Sequence, residues 1–361
     1  MRYFSLPEGG AEALAQKLLE SQQVEAVLVP LRSREGRIQG PALVRDPRHL
    51  EGLDLFTPLS WHNLARTLAQ VARPDGNGRI LAFLRPCEIR TMVELQKLQQ
   101  IDPDRVAVCG LDCLGMAAAS ERDTLSERSP EQWAEVLSGG EIPEEASGFF
   151  RELCGVCPDV EAPHADLRIL TVGAGAPLVA AEGSWAEELE KAGLEEVEAP
   201  PGRDSLVSDL RKARAEALEA LKEEAERDLI PLTAMMERFS TCIRCGNCRS
   251  MCPACFCPQC VFETPDFRHE PETYLRWADR KGELDMPAEM ALFHLTRLNH
   301  MVLSCVGCGH CSSACPQGLP VATLFYTLGQ RTGRLFEYEA GGDPDQEHPF
   351  QTYEEEELEP R

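Results

Sequence analysis

The residues able to do chemistry in this chain are thiols: its 361 residues hold 16 cysteines, and eight of those fall into two copies of one pattern. Cys242, Cys245, Cys248 and Cys252 lie in CIRCGNCRSMCP, and Cys305, Cys308, Cys311 and Cys315 lie in CVGCGHCSSACP. Both read C-x2-C-x2-C-x3-C-P, the bacterial run that holds [4Fe–4S] cubanes. Three thiolates spaced in this way wrap one cubane and take three of its corners. The fourth cysteine, turned away at the following proline, ligates the other cluster. One cluster is therefore expected on Cys242, Cys245, Cys248 and Cys315, and a second on Cys305, Cys308, Cys311 and Cys252. Gly246, Gly307 and Gly309 let the backbone approach the clusters and offer N–H groups to sulfur. Zinc is the competing occupant, but zinc fingers use cysteines in pairs and have no use for a third thiol two residues on.

A second group of cysteines lies upstream: Cys87 in LRPCEIR, Cys109 and Cys113 in VCGLDCLG, and Cys154 and Cys157 in LCGVC. Cys87 and Cys113 fall just past predicted strand ends, where open α/β sheets present ligands. With Cys154 and Cys157 they make a third cubane site; the alternative is free cysteines packed as small hydrophobes. Cys255, Cys257 and Cys260 follow the first run in CPACFCPQC. If Cys109 joins them, sixteen thiols divide into four cubanes, the last bridging two domains. Reduced thiols or a separate zinc site are the alternatives for these three. His294, His300 and His310 are expected to pack or to donate hydrogen bonds, since cysteines already fill the ferredoxin sites. Arg85, Glu88 and Arg90 flank Cys87, either to tune a cofactor or as an ordinary charged helix start.

The elements that must position these thiols divide in two. Residues 1–204 alternate helical and strand-like patterns: Ala11–Leu19, Leu64–Val71 and Ile89–Leu98 read as helices, and Glu25–Pro30, Ile80–Leu84, Arg105–Val108 and Leu167–Val172 as strands. That alternation predicts an α/β domain with a mostly parallel sheet. Residues 205–230, rich in Ala, Leu, Glu, Lys and Arg, predict a solvent-facing connector helix. Residues 231–335 form a helical dicluster ferredoxin-like domain, with helices over Tyr274–Lys281, Ala288–Leu303 and Val321–Leu328. An acidic tail, 336–361, is expected to pack loosely or to be disordered.

The formal net charge of −24 argues against nucleic acid or an anionic membrane as a ligand. It reads as a solvated acidic surface or as a docking face for basic redox partners. The start, MRYFSLPEGG, has no basic stretch followed by an apolar run, so no signal peptide is expected. No segment approaches the ~18 apolar residues of a membrane span. The chain is therefore expected in the cytoplasm, where cysteine density means metal binding rather than disulfides.

RPCEIRTMVELQKL (85–98), CGLDCLG (109–115), the CGVC pair with HADLRILTVG (164–173), CIRCGNCRSMCPACFCPQC (242–260) and HLTRLNHMVLSCVGCGHCSSACPQGLPVATLF (294–325) together resemble one family. It is the beta-subunit family shared by deazaflavin-coenzyme-reducing hydrogenases and formate dehydrogenases, in its long form with a C-terminal dicluster ferredoxin domain. The resemblance covers most of the chain and is specific in the last two segments. It implies an electron-transfer subunit that works between a separate catalytic subunit, of formate dehydrogenase or hydrogenase type, and a flavin or soluble electron carrier. It also implies Cys87, Cys113, Cys154 and Cys157 as ligands to one cubane, with Cys109 spare, and FAD beside that cluster. The glycine- and serine-rich stretch of shorter members is reduced here to VGAGAP (172–177), and neither GxGxxG nor a Walker A motif is present. No acid–base dyad is evident. The alternative is a flavin-free iron–sulfur adaptor of heterodisulfide-reductase type. A zinc scaffold without redox chemistry is a third class, and it predicts a colourless protein.

Overall fold

Short apolar runs assemble into one eight-stranded sheet: β1 Arg2–Ser5, β2 Ala26–Arg32, β3 Gln39–Val44, β4 Ile80–Leu84, β5 Val106–Leu111, β6 Leu167–Leu170, β7 Leu178–Ala181 and β8 Glu196–Val197, in the order β3-β2-β4-β5-β6-β7-β1-β8. The structure is a computed structural model that describes residues 1–32, 39–118, 121–125, 127–267, 269–283 and 290–353. Three of the seven strand pairings are parallel (β2 with β4, β4 with β5, β5 with β6) and four are antiparallel. The sheet is therefore mixed, which corrects the expectation of a mostly parallel one. The cause is connection length. The parallel centre is wound through helices, whereas short links from β2 to β3 and from β6 to β7 leave no room for a crossover and force hairpins.

Helix α1 (Gly10–Glu20) and the helix Gly183–Lys191 cover one face of the sheet. Helices α2 (Leu64–Val71) and α3 (Pro86–Lys97) cover the other. Strand β5, VAVCGL, is buried throughout and alternates between the two: Ala107, Cys109 and Leu111 join the core under α1, and Val106 and Val108 the core under α3. Glu88 sets the starts of both α2 and α3. Its buried carboxylate accepts from the backbone N–H of Arg85 at 2.9 Å and of Leu64 at 3.0 Å.

The connector, Arg203–Asp228, is mostly solvent-facing, as its composition predicts, and is tied down along one side. Buried Arg203 donates to Asp112 at 2.7 Å, and Arg214 donates to the Leu114 carbonyl at 2.7 Å and the Cys157 carbonyl at 3.2 Å. The connector is thus tied to the two loops that carry Cys113 and Cys157. Beyond it, Met290–Met301 and Val321–Leu335 build a second core from Phe239, Phe293, Leu324 and Phe325. The first of these was expected over Ala288–Leu303, of which residues 288 and 289 lie outside the described residues.

The tail also departs from its composition. Tyr338, Ala340 and His348 are buried, and residues 354–361 lie outside the described ones. Glu94 of α3 accepts from Tyr338 Oη at 2.5 Å and from the Gly341 N–H at 2.7 Å, and Arg90 donates to the Ala340 carbonyl at 2.9 Å. Gly341 has φ +69°, and a Cβ there would stand 2.5 Å from the Arg90 carbonyl, so no other residue fits. Removing the carboxylate with Glu94→Ala leaves two buried donors unpaired, at about 2–4 kcal/mol. The expected outcome is a lower Tm and faster limited proteolysis between residues 341 and 353; an unchanged cleavage pattern would show that Glu94 does not fasten the tail.

Candidate metal centres

The two ferredoxin-type loops share one backbone course. Gly246 and Gly309 both have φ +76° and each caps a four-residue helical turn, Asn247–Ser250 and His310–Ser313, that carries Cys248 or Cys311. Two residues earlier, Arg244 (φ 51°) and Gly307 (φ 72°) are left-handed as well. The chain has to curl twice to point three thiols inward, and the left-handed positions make the curl possible.

Cys242, Cys245, Cys248 and Cys315 line one small cavity, together with Gly246, His294 and Pro316. Cys252, Cys305, Cys308 and Cys311 line another, with Gly307, Gly309, Met301 and Phe325. The fourth cysteine of each run therefore sits with the other run's three. Among the described residues no three His, Cys, Asp or Glu side chains converge closely enough to hold a single ion. Each set of four rims a space instead, as ligands to the corners of a cubane do. Backbone N–H groups already point at sulfur: Arg244 N–H to Cys242 at 3.4 Å, with Gly307 and His310 donating to Cys305 and Cys308. Burial raises the thiols of Cys242, Cys248, Cys308 and Cys311, and pushes Cys305 up to about 12.

Arg297 is the group that decides what fits here. Its side chain is 1% exposed and lies over the Phe325 ring at 4.6 Å. It donates to Cys248 Sγ at 3.1 Å and to the Cys248 carbonyl at 3.3 Å. It also faces Cys252 and Cys311 of the second set, and no carboxylate among the described residues pairs with it. A buried guanidinium without an anion is strongly disfavoured. A cubane held by four thiolates carries net negative charge, so a cluster on either side of Arg297 supplies the missing partner. The donor sets and this cation together fit [4Fe–4S] clusters.

The upstream thiols gather at the carboxyl end of the parallel strands. Cys87 opens α3 one turn after β4, and Cys113 follows β5. Cys154 sits in the turn Glu152–Gly155, and Cys157 lies just beyond it. Cys87 neighbours Cys113 and Cys154, and Cys154 neighbours Cys157. Gly115, at φ +134°, makes this approach possible: a Cβ there would meet Phe150 at 2.7 Å and the Cys154 Cβ at 3.2 Å. Burial raises Cys113 to about 11 and Cys157 to about 12, while Arg85 beside Cys113 favours its thiolate. Cys308 of the second set lies next to both Cys87 and Cys154. The three sets therefore stand in a row, joined at Cys248–Arg297–Cys311 and at Cys308–Cys87.

The fourth grouping does not survive. Cys109 is fully buried on the α1 side of the sheet, between Phe83 and Leu167 in register, and burial pushes its thiol up. Cys255, Cys257 and Cys260 line a cleft with Leu98, beyond α3 on the opposite side. The sheet separates Cys109 from them, so the proposed bridge is corrected and Cys109 is a core residue. His294 and His310 behave as expected: His294 Nε2 contacts Cys242 Sγ at 3.4 Å, with burial lowering the imidazole to about 4, and His310 Nε2 contacts Ser60 Oγ at 3.4 Å. Arg90 pairs with Asp159 at 2.7 Å and, like Glu88, has a structural part. Arg297 was not picked out from the sequence; its signal was a lone cation on the face of the helix shared with Phe293 and Met301.

Residues 238–319 match the family model for a 4Fe-4S dicluster domain. The F420-dependent formate dehydrogenase subunit beta of Methanocaldococcus jannaschii is 26% identical over 93% of this chain and 92% of its own length. The F420-dependent formate dehydrogenase 1 subunit beta of Methanococcus maripaludis is 24% identical over 93% and 91%. This chain is similar to formate dehydrogenase beta subunits over nearly its whole length. The resemblance seen in its sequence is thereby borne out over nearly its whole length, with iron–sulfur clusters as cofactors. A chain in a solved structure of the F420-reducing [NiFe] hydrogenase complex from Methanosarcina barkeri is 18% identical, covers 61% of this chain and 87% of that one, and superposes with a TM-score of 0.47, too low to carry an argument.

Two substitutions test the assignments. Arg297→Met removes the cation shared by the first two sets, so both ferredoxin-type signals should shift to more negative midpoint potentials in an EPR-monitored titration. Unchanged potentials would contradict its placement between clusters. Cys109→Ala should leave iron content unchanged, and loss of iron would restore Cys109 as a ligand.

Proposed function

We propose that this chain is the iron–sulfur electron-transfer subunit of an oxidoreductase complex, passing electrons between a catalytic subunit of formate dehydrogenase or hydrogenase type and a flavin or soluble carrier. The observation that carries the reading is the row of three thiol sets, which runs from the surface to the edge of the sheet. At one end Cys245 is exposed, beside Ile243 at 57% exposure, where a partner's redox centre can approach. At the other, Cys87 and Cys113 sit at the strand ends. [4Fe–4S] clusters, when bound, supply one-electron oxidation and reduction.

The protein's own residues do the rest. Twelve cysteines hold the clusters: Cys242, Cys245, Cys248 and Cys315; Cys305, Cys308, Cys311 and Cys252; Cys87, Cys113, Cys154 and Cys157. Arg297 balances charge between the first two sets. Phe293, Met301 and Phe325 keep water from the space around them. The parent complexes named for the relatives support a catalytic partner for this chain. No described helix is long and apolar enough to cross a membrane, and a cytoplasmic place belongs to the same proposal.

The alternative reading is a flavin-free adaptor of heterodisulfide-reductase type. A cleft of about 410 Å³ near Cys157 sets Arg168, Arg203 and Arg211 among Asp159, Glu161 and Asp204, with Arg203 and Arg211 both paired to Glu161. No step is routed through a flavin.

Anaerobically purified protein should be brown, bleach with dithionite, and hold about twelve to sixteen irons. Cys87→Ala should lose about four of them while keeping both ferredoxin-type signals. Stoichiometric zinc without acid-labile sulfide would refute the relay. One equivalent of FAD would exclude the adaptor.

A further inference from the structure

Three thiols and an imidazole outside these sets share one open cleft of about 450 Å³. Cys255, Cys257 and Cys260 come from the loop after the first run; Asn299 and His300 come from the facing helix Met290–Met301, and Leu98 and Phe350 close the ends. Two guanidiniums attend the thiols: Arg249 is hydrogen-bonded to Cys260, besides its pairing with Glu263, and Arg297 lies against Cys255. Cys255 in turn touches Cys252 of the second set.

We propose that Cys255, Cys257, Cys260 and His300 hold a fourth metal centre. The C-x-C-x2-C loop offers three thiolates and leaves one position to a ligand from another element. Cys109 is shut off behind the sheet, whereas His300 lines the same cleft as the three thiols. Imidazole replaces thiolate on iron in other iron–sulfur centres, and it is a common zinc ligand in three-thiolate sites. Among the described residues no three such side chains converge on a single ion, so the centre proposed is a cubane, whose ligands stand at separate corners. A neutral imidazole in place of a thiolate makes such a cluster less anionic than its neighbours, and therefore easier to reduce. Standing against Cys252 and open to solvent through exposed Cys257, it would be a second port through which electrons enter or leave the row. That role rests on the relay proposed above; the existence of the centre does not.

The test uses the full chain, produced anaerobically, with iron, zinc and sulfide counted beside EPR. Cys257→Ala should lose about four irons with the two ferredoxin-type signals intact. His300→Cys should keep the irons and move the most positive midpoint potential downward, an effect a merely packed histidine would not produce. Loss of one zinc per chain in Cys257→Ala, at constant iron, would overturn the cubane and the port with it. Unchanged iron and zinc in Cys257→Ala would overturn the centre. If Cys87→Ala loses its four irons in parallel, the relay stands even where this centre fails.

Discussion

A positive charge buried where water cannot reach it is the constraint on which the C-terminal half depends. Arg297 is enclosed by Phe325, Met301 and sulfur, with no carboxylate among the described residues to answer it. Such a group is tolerated only beside a comparable negative charge. The thiol sets on both sides supply that charge when they hold anionic clusters, so cluster loading and folding of this domain are linked. The same cation lowers the cost of adding an electron to either neighbour.

The crossing of Cys252 and Cys315 makes the two loops interdependent, since each cavity needs a residue from the other run. The row then continues into the sheet domain through contacts that fix orientation. Arg151 donates to Ser313 Oγ at 3.0 Å and to the Ser60 carbonyl at 2.8 Å, joining the turn after Cys311 to the turn before Cys154. Glycine-mediated close packing serves the same end. Gly329 lets the helix Val321–Leu335 approach the Val302 carbonyl, where a Cβ would stand 2.6 Å away. The helix therefore presses on the start of the second loop.

The cluster loops were legible because their chemistry is local: thiol spacing and a following proline specify which corners are taken, whatever the surrounding fold. The crossing of the fourth cysteines could be read for the same reason. Cys109 was misread because counting thiols ignores which face of a strand they occupy, although the alternation Val106, Val108 against Ala107, Cys109, Leu111 was in the sequence. Strands β1, β3, β7 and β8 went unread: β1, β7 and β8 are short and held by pairing, and β3 opens on Gly40 and Pro41, which read as a turn. The last helix runs on past Leu328 through two glycines that weaken helix propensity, because packing at Gly329 and Gly333 outweighs it. The tail's acidic composition concealed Tyr338 and His348, the residues that anchor it.

The central claim is a row of cubanes in which the fourth cysteine of each run serves the other loop. Anomalous diffraction at the iron edge, from anaerobically grown crystals of the loaded chain, tests it most directly. The account predicts four-iron densities at the three sets, with Cys315 on the cluster of Cys242, Cys245 and Cys248, and Cys252 on that of Cys305, Cys308 and Cys311. Iron density confined to fewer sites, or Cys252 and Cys315 each ligating the cluster of its own run, would contradict it.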